Sequence, residues 1–275
     1  MNPSFASGPE WVGRVPPYLL DEISRIAGHL AAHPWTEAGA GNLSILLPEG
    51  VRPQLAATPG LAEPHSQALP LAALGGRSML VTLTGSRMRD IAAFPPDGLA
   101  LTELDPAAET LWVTGGRPTS ELDSHLAVHA VILETHQTAG AIVHTHPPSL
   151  ITLSHLGQQG PALKRCGAPP LQACAPPHLA GFLGSITPEA AVLLSERMTV
   201  LPPEDPGGRA LARRSAEAAR KYQVIVWPYH GVIAWGADLA EALDLIECAE
   251  KAAEIAVRML PWIAATTAPA ARRAD

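Results

Sequence analysis

The sequence predicts a single α/β domain, and three observations carry that reading. The chain has 275 residues, of which 47% are apolar and 16% charged. That is enough apolar surface for one large core and excludes global disorder. Short β-branched runs such as Ala141-Ile142-Val143 and Val224-Ile225-Val226 alternate with stretches whose apolar residues recur at helical spacing. No internal repeat divides the chain, so the expected organisation is one domain over 18–262. A partly ordered segment at 1–17 and a frayed tail at 263–275 flank it.

The elements follow in order. Tyr18, Leu19, Ile23, Ile26, Ala27 and Leu30 give an amphipathic first helix that stops near His33-Pro34. Leu43 to Leu47 reads as a strand, and Pro48 to Ala73, rich in proline and alanine, as a loop-dominated insertion. A strand at Met79 to Leu83 leads into Thr84-Gly85-Ser86, and another at Leu111 to Thr114 leads into the turn Gly115-Gly116. Leu122 to Glu134 is a helix with Leu122, Leu126, His129 and Leu133 along one side. A strand at Gly140 to His144 and a helix from Pro148 to Leu156 come next, and Leu156 to Pro188 is the least regular region. Ala190 to Leu194 and Val200-Leu201 read as short strands, and Arg209 to Tyr222 as an alanine-rich helix. Asp238 caps the last helix, with Glu241 completing a capping box; Leu239, Leu243, Ile246, Ala249, Ala253, Ala256 and Met259 form its buried stripe.

Composition narrows the functional classes. A net charge of −7 gives no electrostatic footprint for nucleic acid or an anionic membrane. No apolar run approaches spanning length and no signal peptide is visible at Met1 to Trp11. Cys166, Cys174 and Cys248 sit in no metal-type spacing and read as reduced thiols, so the expected location is cytoplasmic.

The chemistry concentrates at strand ends. His144-Thr145-His146 closes an apolar run, and residues two apart on a strand point to the same side, so both imidazoles can reach one metal ion. A catalytic zinc usually has three protein ligands and an open position. His230, at the end of Val224-Ile225-Val226-Trp227-Pro228-Tyr229, is the third candidate, with Pro228 ending the strand and Gly231 allowing a tight turn. The base candidate is Glu121, in the first turn of a helix that Ser120 or Thr119 would cap. His125 and His129 lie one turn apart on that helix, a spacing that could bind metal. His125 reads rather as a partner that orients a ligand or the phosphate loop. The remaining histidines show no sign of chemistry.

Gly41-Asn42-Leu43-Ser44, Thr84-Gly85-Ser86, Pro118-Thr119-Ser120-Glu121, His144-Thr145-His146 and Tyr229-His230-Gly231 occur in the order seen in class II sugar-phosphate aldolases. That family includes ribulose-phosphate epimerases and the adducin head domain. The resemblance runs from about Leu19 to Leu260 and is nearest to the rhamnulose-1-phosphate branch. It implies a central, mostly antiparallel sheet layered with helices, and a homotetramer with sites at subunit interfaces. It also implies one Zn2+ per subunit, held by His144, His146 and His230. The implied reaction is retro-aldol cleavage of a ketose 1-phosphate to dihydroxyacetone phosphate and an aldehyde through a zinc-stabilised enediolate. Glu121 would handle the proton at C3.

Gly41, Asn42, Thr84, Gly85, Ser86, Thr119 and Ser120 would bind the phosphate through amides and hydroxyls. A gapless match from Thr187 to Pro202 puts Glu189 at the position that acts on the C4 oxygen from a neighbouring subunit. Lys164, Lys221 and Lys251 are the only lysines, and none stands where a Schiff base would form. Two departures concern the substrate. Gly39 stands where the rhamnulose-phosphate enzymes carry an asparagine, and Arg87-Met88-Arg89 follows Thr84-Gly85-Ser86 at once. The same zinc site would serve a sugar-phosphate 4-epimerase or a dehydratase, while a non-catalytic adducin-like scaffold predicts loss of the histidines.

Overall fold

A computed structural model describes residues 9–58, 60–66, 69–136, 140–158, 160–166, 170–176 and 178–267. Nine strands form one sheet: β1 (Asn42–Leu46), β2 (Glu63–Ser66), β3 (Ser78–Thr82), β4 (Leu99–Leu104), β5 (Thr110–Thr114), β6 (Ala141–Thr145), β7 (Met198–Val200), β8 (Val224–Trp227) and β9 (Gly231–Gly236). Their order is β2-β5-β4-β3-β1-β6-β9-β8-β7. Every pairing is antiparallel except β7 with β8. The sheet is therefore mostly antiparallel, as the family resemblance implies.

Alternation along the central strands divides the core in two. Leu43 and Ile45 of β1, Ala141 and Val143 of β6, and Val232 and Ala234 of β9 face one layer. That layer comprises α1 (Pro17–Ala31), α2 (Met88–Ala93), α4 (Pro148–Gln158), α6 (Leu179–Gly184), α7 (Pro188–Leu194) and α9 (Leu239–Thr267). Leu46, Val81 and Ala100, with Ile142, Ile225 and Ile233, face the opposite layer of α3 (Leu122–His136) and α8 (Arg209–Ala219). Helix α3 lies between the sheet and α8, so Ser124 through Ile132 are all buried, and it shows no polar outer face of the usual kind. A short α5 (Pro161–Cys166) completes the elements.

Four sequence expectations change. Ala190 to Leu194 is helical: Thr187 accepts from the Ala190 amide at 3.2 Å and Pro188 occupies the first helical turn. The Pro48 to Ala73 insertion contributes an edge strand, β2, paired with β5. Strands β4 and β9 carry no assignment from sequence. Both are almost wholly buried on both faces and lack the polar–apolar alternation of a half-exposed strand. The Asp238 cap is present, its carboxylate accepting the Glu241 amide at 2.8 Å, while Glu241 returns to the Ala237 amide at 2.7 Å. Helix α9 continues through Pro261 to Thr267.

Glu250, buried on α9, docks α4 by its N-terminus. Its two carboxylate oxygens accept the Ser149 and Leu150 amides at 2.9 Å each. Burial raises its pKa and these bonds pull it back. Glu250→Ala leaves both helix amides without acceptors and should cost about 1–3 kcal/mol in urea unfolding. Glu250→Gln, which keeps one acceptor, should cost less.

Candidate metal centre and active site

The three histidines converge from two neighbouring strands. His144 is the penultimate residue of β6, His146 lies just beyond its end, and His230 sits in the three-residue turn between β8 and β9. One ring nitrogen from each lies within 4.8 Å of the others. The outer nitrogens decide what the inner ones offer. His144 Nδ1–H donates to the Val232 carbonyl at 2.9 Å, and His146 Nδ1 stands 3.1 Å from Glu37 Oε1, to which it donates. Both Nε2 atoms are then bare lone pairs, facing one another at 3.1 Å. Two lone pairs that close repel unless a cation lies between them, so the donor set fits a divalent metal. His230 Nδ1 is buried without a partner.

Burial keeps the His144 and His230 rings neutral, the form that binds metal. His144 is pushed down to about 3, first by burial and then by the neighbouring His146. His230 is lowered to about 4, again chiefly by burial, with Glu121 opposing. Trp227 walls the cluster, its ring centroid 4.6 Å from that of His144 and 5.3 Å from that of His230. Its indole donates to Ser215 of α8 at 2.9 Å.

The turn that carries His230 departs from the sequence reading. Tyr229 adopts φ 67°, a left-handed conformation unfavourable for a bulky residue. Its amide donates to Ser154 Oγ at 3.0 Å and its hydroxyl to the Gln158 carbonyl at 3.1 Å, both on α4. Gly231 serves a different purpose from the expected tight turn. A Cβ there would lie 2.3 Å from the Thr145 carbonyl and 2.9 and 3.0 Å from carbons of His146 and His144.

Glu121 immediately precedes α3 and does not lie in its first turn; the Thr119 hydroxyl accepts its amide at 3.3 Å. Its carboxylate is buried and spans the cluster, Oε2 lying 3.3 Å from His144 Nε2 and Oε1 3.3 Å from His230 Nε2. The Asn42 side chain, expected among the phosphate contacts, donates to Glu121 Oε2 at 2.8 Å. Its backbone lies across the β1–β6 ladder from His144.

The other expected phosphate segments adjoin this end of the sheet. Thr84 donates its amide to the Arg117 carbonyl at 3.0 Å, and Thr119 to Thr82 at 2.9 Å. Gly85 and Thr84 are exposed, as is Ser120. The Ser86 hydroxyl is engaged by the Leu83 carbonyl at 2.7 Å. Gly39 explains its own departure from asparagine. With φ at 89°, a Cβ there would sit 3.0 Å from the Gly85 carbonyl. A hollow of about 220 Å³ beside it is lined by Glu37, Gly39, Arg87 and Arg89.

Glu189 is exposed in the first turn of α7, where its charge helps raise the Cys248 thiol, after burial. No hydrogen bond or ion pair among the described residues joins it to the histidines. Sequence reasoning missed Glu37, which lies in no motif, and gave no role to Ser44 or Trp227, although both stand within segments it singled out. It also left His29 and His33 without chemistry. They form a second, outer group with Glu247, whose Oε1 is 2.5 Å from His29 Nε2.

A sequence profile of the Class II Aldolase and Adducin N-terminal domain family matches residues 21–257. The rhamnulose-1-phosphate aldolase of Bacteroides thetaiotaomicron is 29% identical over 239 residues, covering 86% of this chain and 84% of the relative. That of Pectobacterium carotovorum is 29% identical, covering 82% and 79%. The crystal structure of a sugar-phosphate aldolase from Thermotoga maritima superposes with a TM-score of 0.69 at 30% identity, covering 90% of this chain and 96% of that one. An L-fuculose 1-phosphate aldolase at 16% identity shares the fold, with a TM-score of 0.58 over 90% and 89%.

Two outcomes are expected. Gly231→Ala should wedge β9 away from β6 and lower bound metal per chain, read by metal analysis after dialysis. The second concerns acid. His125, His129 and His144 take their protons near 6.5 when unfolded but only at about 3 when folded, owing first to burial. Between those values the unfolded chain holds more protons, so acid favours unfolding. The metal-free protein should therefore lose stability as pH falls below about 6.5, by up to about 1.4 kcal/mol per pH unit for each histidine. Urea midpoints across that range measure the slope.

Proposed function

Since the chain belongs to the Class II Aldolase and Adducin N-terminal domain family, we propose that it cleaves a ketose 1-phosphate of the rhamnulose-1-phosphate type by a metal-dependent retro-aldol reaction. The observation that carries this reading is the pair of bare Nε2 atoms facing each other 3.1 Å apart, with Glu121 bridging His144 and His230. His144, His146 and His230 hold the metal, for which zinc is the proposed ion. When bound, such an ion supplies Lewis-acid stabilisation for negative charge that develops beside a carbonyl.

The chain's own groups do the rest. Cleavage between C3 and C4 removes the C4 hydroxyl proton and leaves an electron pair at C3; the products are dihydroxyacetone phosphate and an aldehyde. In the condensation direction Glu121 takes the proton from C3, and in cleavage it returns one. Its carboxylate is buried between two histidines. Glu189 is assigned to the C4 oxygen, reaching it from a neighbouring subunit of a tetramer. Its exposure in the first turn of α7 leaves its carboxylate free for such a role.

The phosphate is assigned to Gly41, Thr84, Gly85, Ser86, Thr119 and Ser120; the side chain of Asn42, expected among them, is committed to Glu121 and His125. Arg87 lines the hollow alongside and adds a positive charge that the overall charge of −7 does not provide. The proposed domain is 18–262, between a leading segment at 1–17 and a tail at 263–275. The proposed location is cytoplasmic: the three cysteines are unpaired, and no helix among the described residues is long and apolar enough to cross a membrane.

Purified protein given L-rhamnulose 1-phosphate should release dihydroxyacetone phosphate, followed by a coupled NADH assay. Chelator should abolish the release and zinc should restore it. Glu121→Gln should lower kcat by about 10²–10⁴-fold while metal content stays full. A metal-loaded protein that releases no dihydroxyacetone phosphate overturns the assignment.

A further inference from the structure

Behind Glu121 lies a buried line of polar side chains drawn from β1 and α3, and each link fixes the next. Glu121 as a carboxylate only accepts, so Asn42 presents Nδ2 to it at 2.8 Å. The amide oxygen therefore faces the other way, 2.5 Å from His125 Nε2. An acceptor at that point makes Nε2 the protonated nitrogen of a neutral His125 and leaves Nδ1 bare. Ser44 Oγ, 2.7 Å from Nδ1, must give its one proton there. The Ser44 oxygen then accepts from His129 Nε2–H at 2.8 Å. His129 Nδ1 is buried without a partner and ends the line.

All the donors point toward Glu121. Reversing any one member alone would set two protons or two lone pairs face to face. Ser44, His125 and His129 are each at most 1% exposed, between a sheet face and a helix whose other buried residues are mostly apolar. Apolar side chains would fill that space without the cost of desolvating four polar groups. The surroundings thus supply no packing reason for the line.

We propose that Ser44 and His125, backed by His129, are positioning residues that lock the Asn42 amide with its N–H end toward Glu121. An Asn42 free to turn over would bring its carbonyl oxygen against the carboxylate and push Glu121 off the two histidines. The proposal rests on Glu121 being the group that moves the C3 proton.

Two measurements test it. In zinc-loaded protein labelled with 15N-histidine, NMR should show His125 and His129 as neutral Nε2–H tautomers. A Nδ1–H tautomer at His125 reverses the line and overturns the proposal. Ser44→Ala and His125→Leu should each lower kcat, for cleavage and for solvent exchange of the C3 proton of dihydroxyacetone phosphate, by about 10–100-fold. KM and bound zinc should not move. His125→Gln, which keeps a donor toward Asn42, should recover most of the loss. Unchanged kcat in both variants, or a loss that follows zinc content, overturns the positioning role. If His125→Leu does not fold, the wild-type tautomers and Ser44→Ala decide. A wild-type protein that neither cleaves nor exchanges sinks the reading of Glu121 itself, while the tautomers still decide the polarity of the line.

Discussion

His144 stands where β6 is hydrogen-bonded to β1 on one edge and to β9 on the other, and those two ladders place the groups around it. The β1 register sets Asn42 directly opposite His144, and so brings an amide within reach of Glu121. The β9 register sets Thr145 against Val232, whose carbonyl takes the His144 Nδ1 proton. A shift of one residue in either ladder would turn His144 to the other face of the sheet. Such a shift would drive the His144 imidazole into the apolar layer that Ala141 and Val143 face, and that cost opposes it.

The chemistry of the centre depends on polar groups kept dry and, at His144 and His146, fixed by a partner on the outer nitrogen. Buried imidazoles are acceptable in a low-dielectric interior when neutral and hydrogen-bonded, and each outer nitrogen bond also selects the tautomer. His144 spends Nδ1 on a backbone carbonyl, His146 on a carboxylate, and the Nε2 atoms are left facing each other. The structure thus directs unshared electron pairs at one point. Helix α3 extends the same logic, since its buried His125 and His129 share the Ser44 hydroxyl, which donates to the first and accepts from the second.

Much of this was legible in the chain. A His-x-His pair after a β-branched run, a second such run ending at His230, and Ser-Glu ahead of a helix are patterns fixed by local geometry, and the structure brings them together. What sequence could not give was set by tertiary contact. Gly231 reads as a turn residue, but its missing side chain matters because the Thr145 carbonyl lies where a Cβ would go. Asn42 reads as a phosphate contact, yet its partner Glu121 is 79 residues away. Strands β4 and β9 are hidden because burial on both faces erases alternation. Helix α7 carries its own signal in Thr187-Pro188-Glu189, which a β-branched residue nearby obscured.

Tyr229 gives the metal-binding trio an unequal ancestry. His144 belongs to β6 and His146 follows it directly, but the turn carrying His230 is held in a strained conformation by Ser154 and Gln158 of α4. Helix α4 in turn begins on the Glu250 carboxylate of α9. Three nitrogens can meet only when that helical layer has already docked on the strands. An ion that favours the assembled trio over the open chain would therefore act as a clasp between layers. Loosening α9 at a distance would then register first as weaker metal retention.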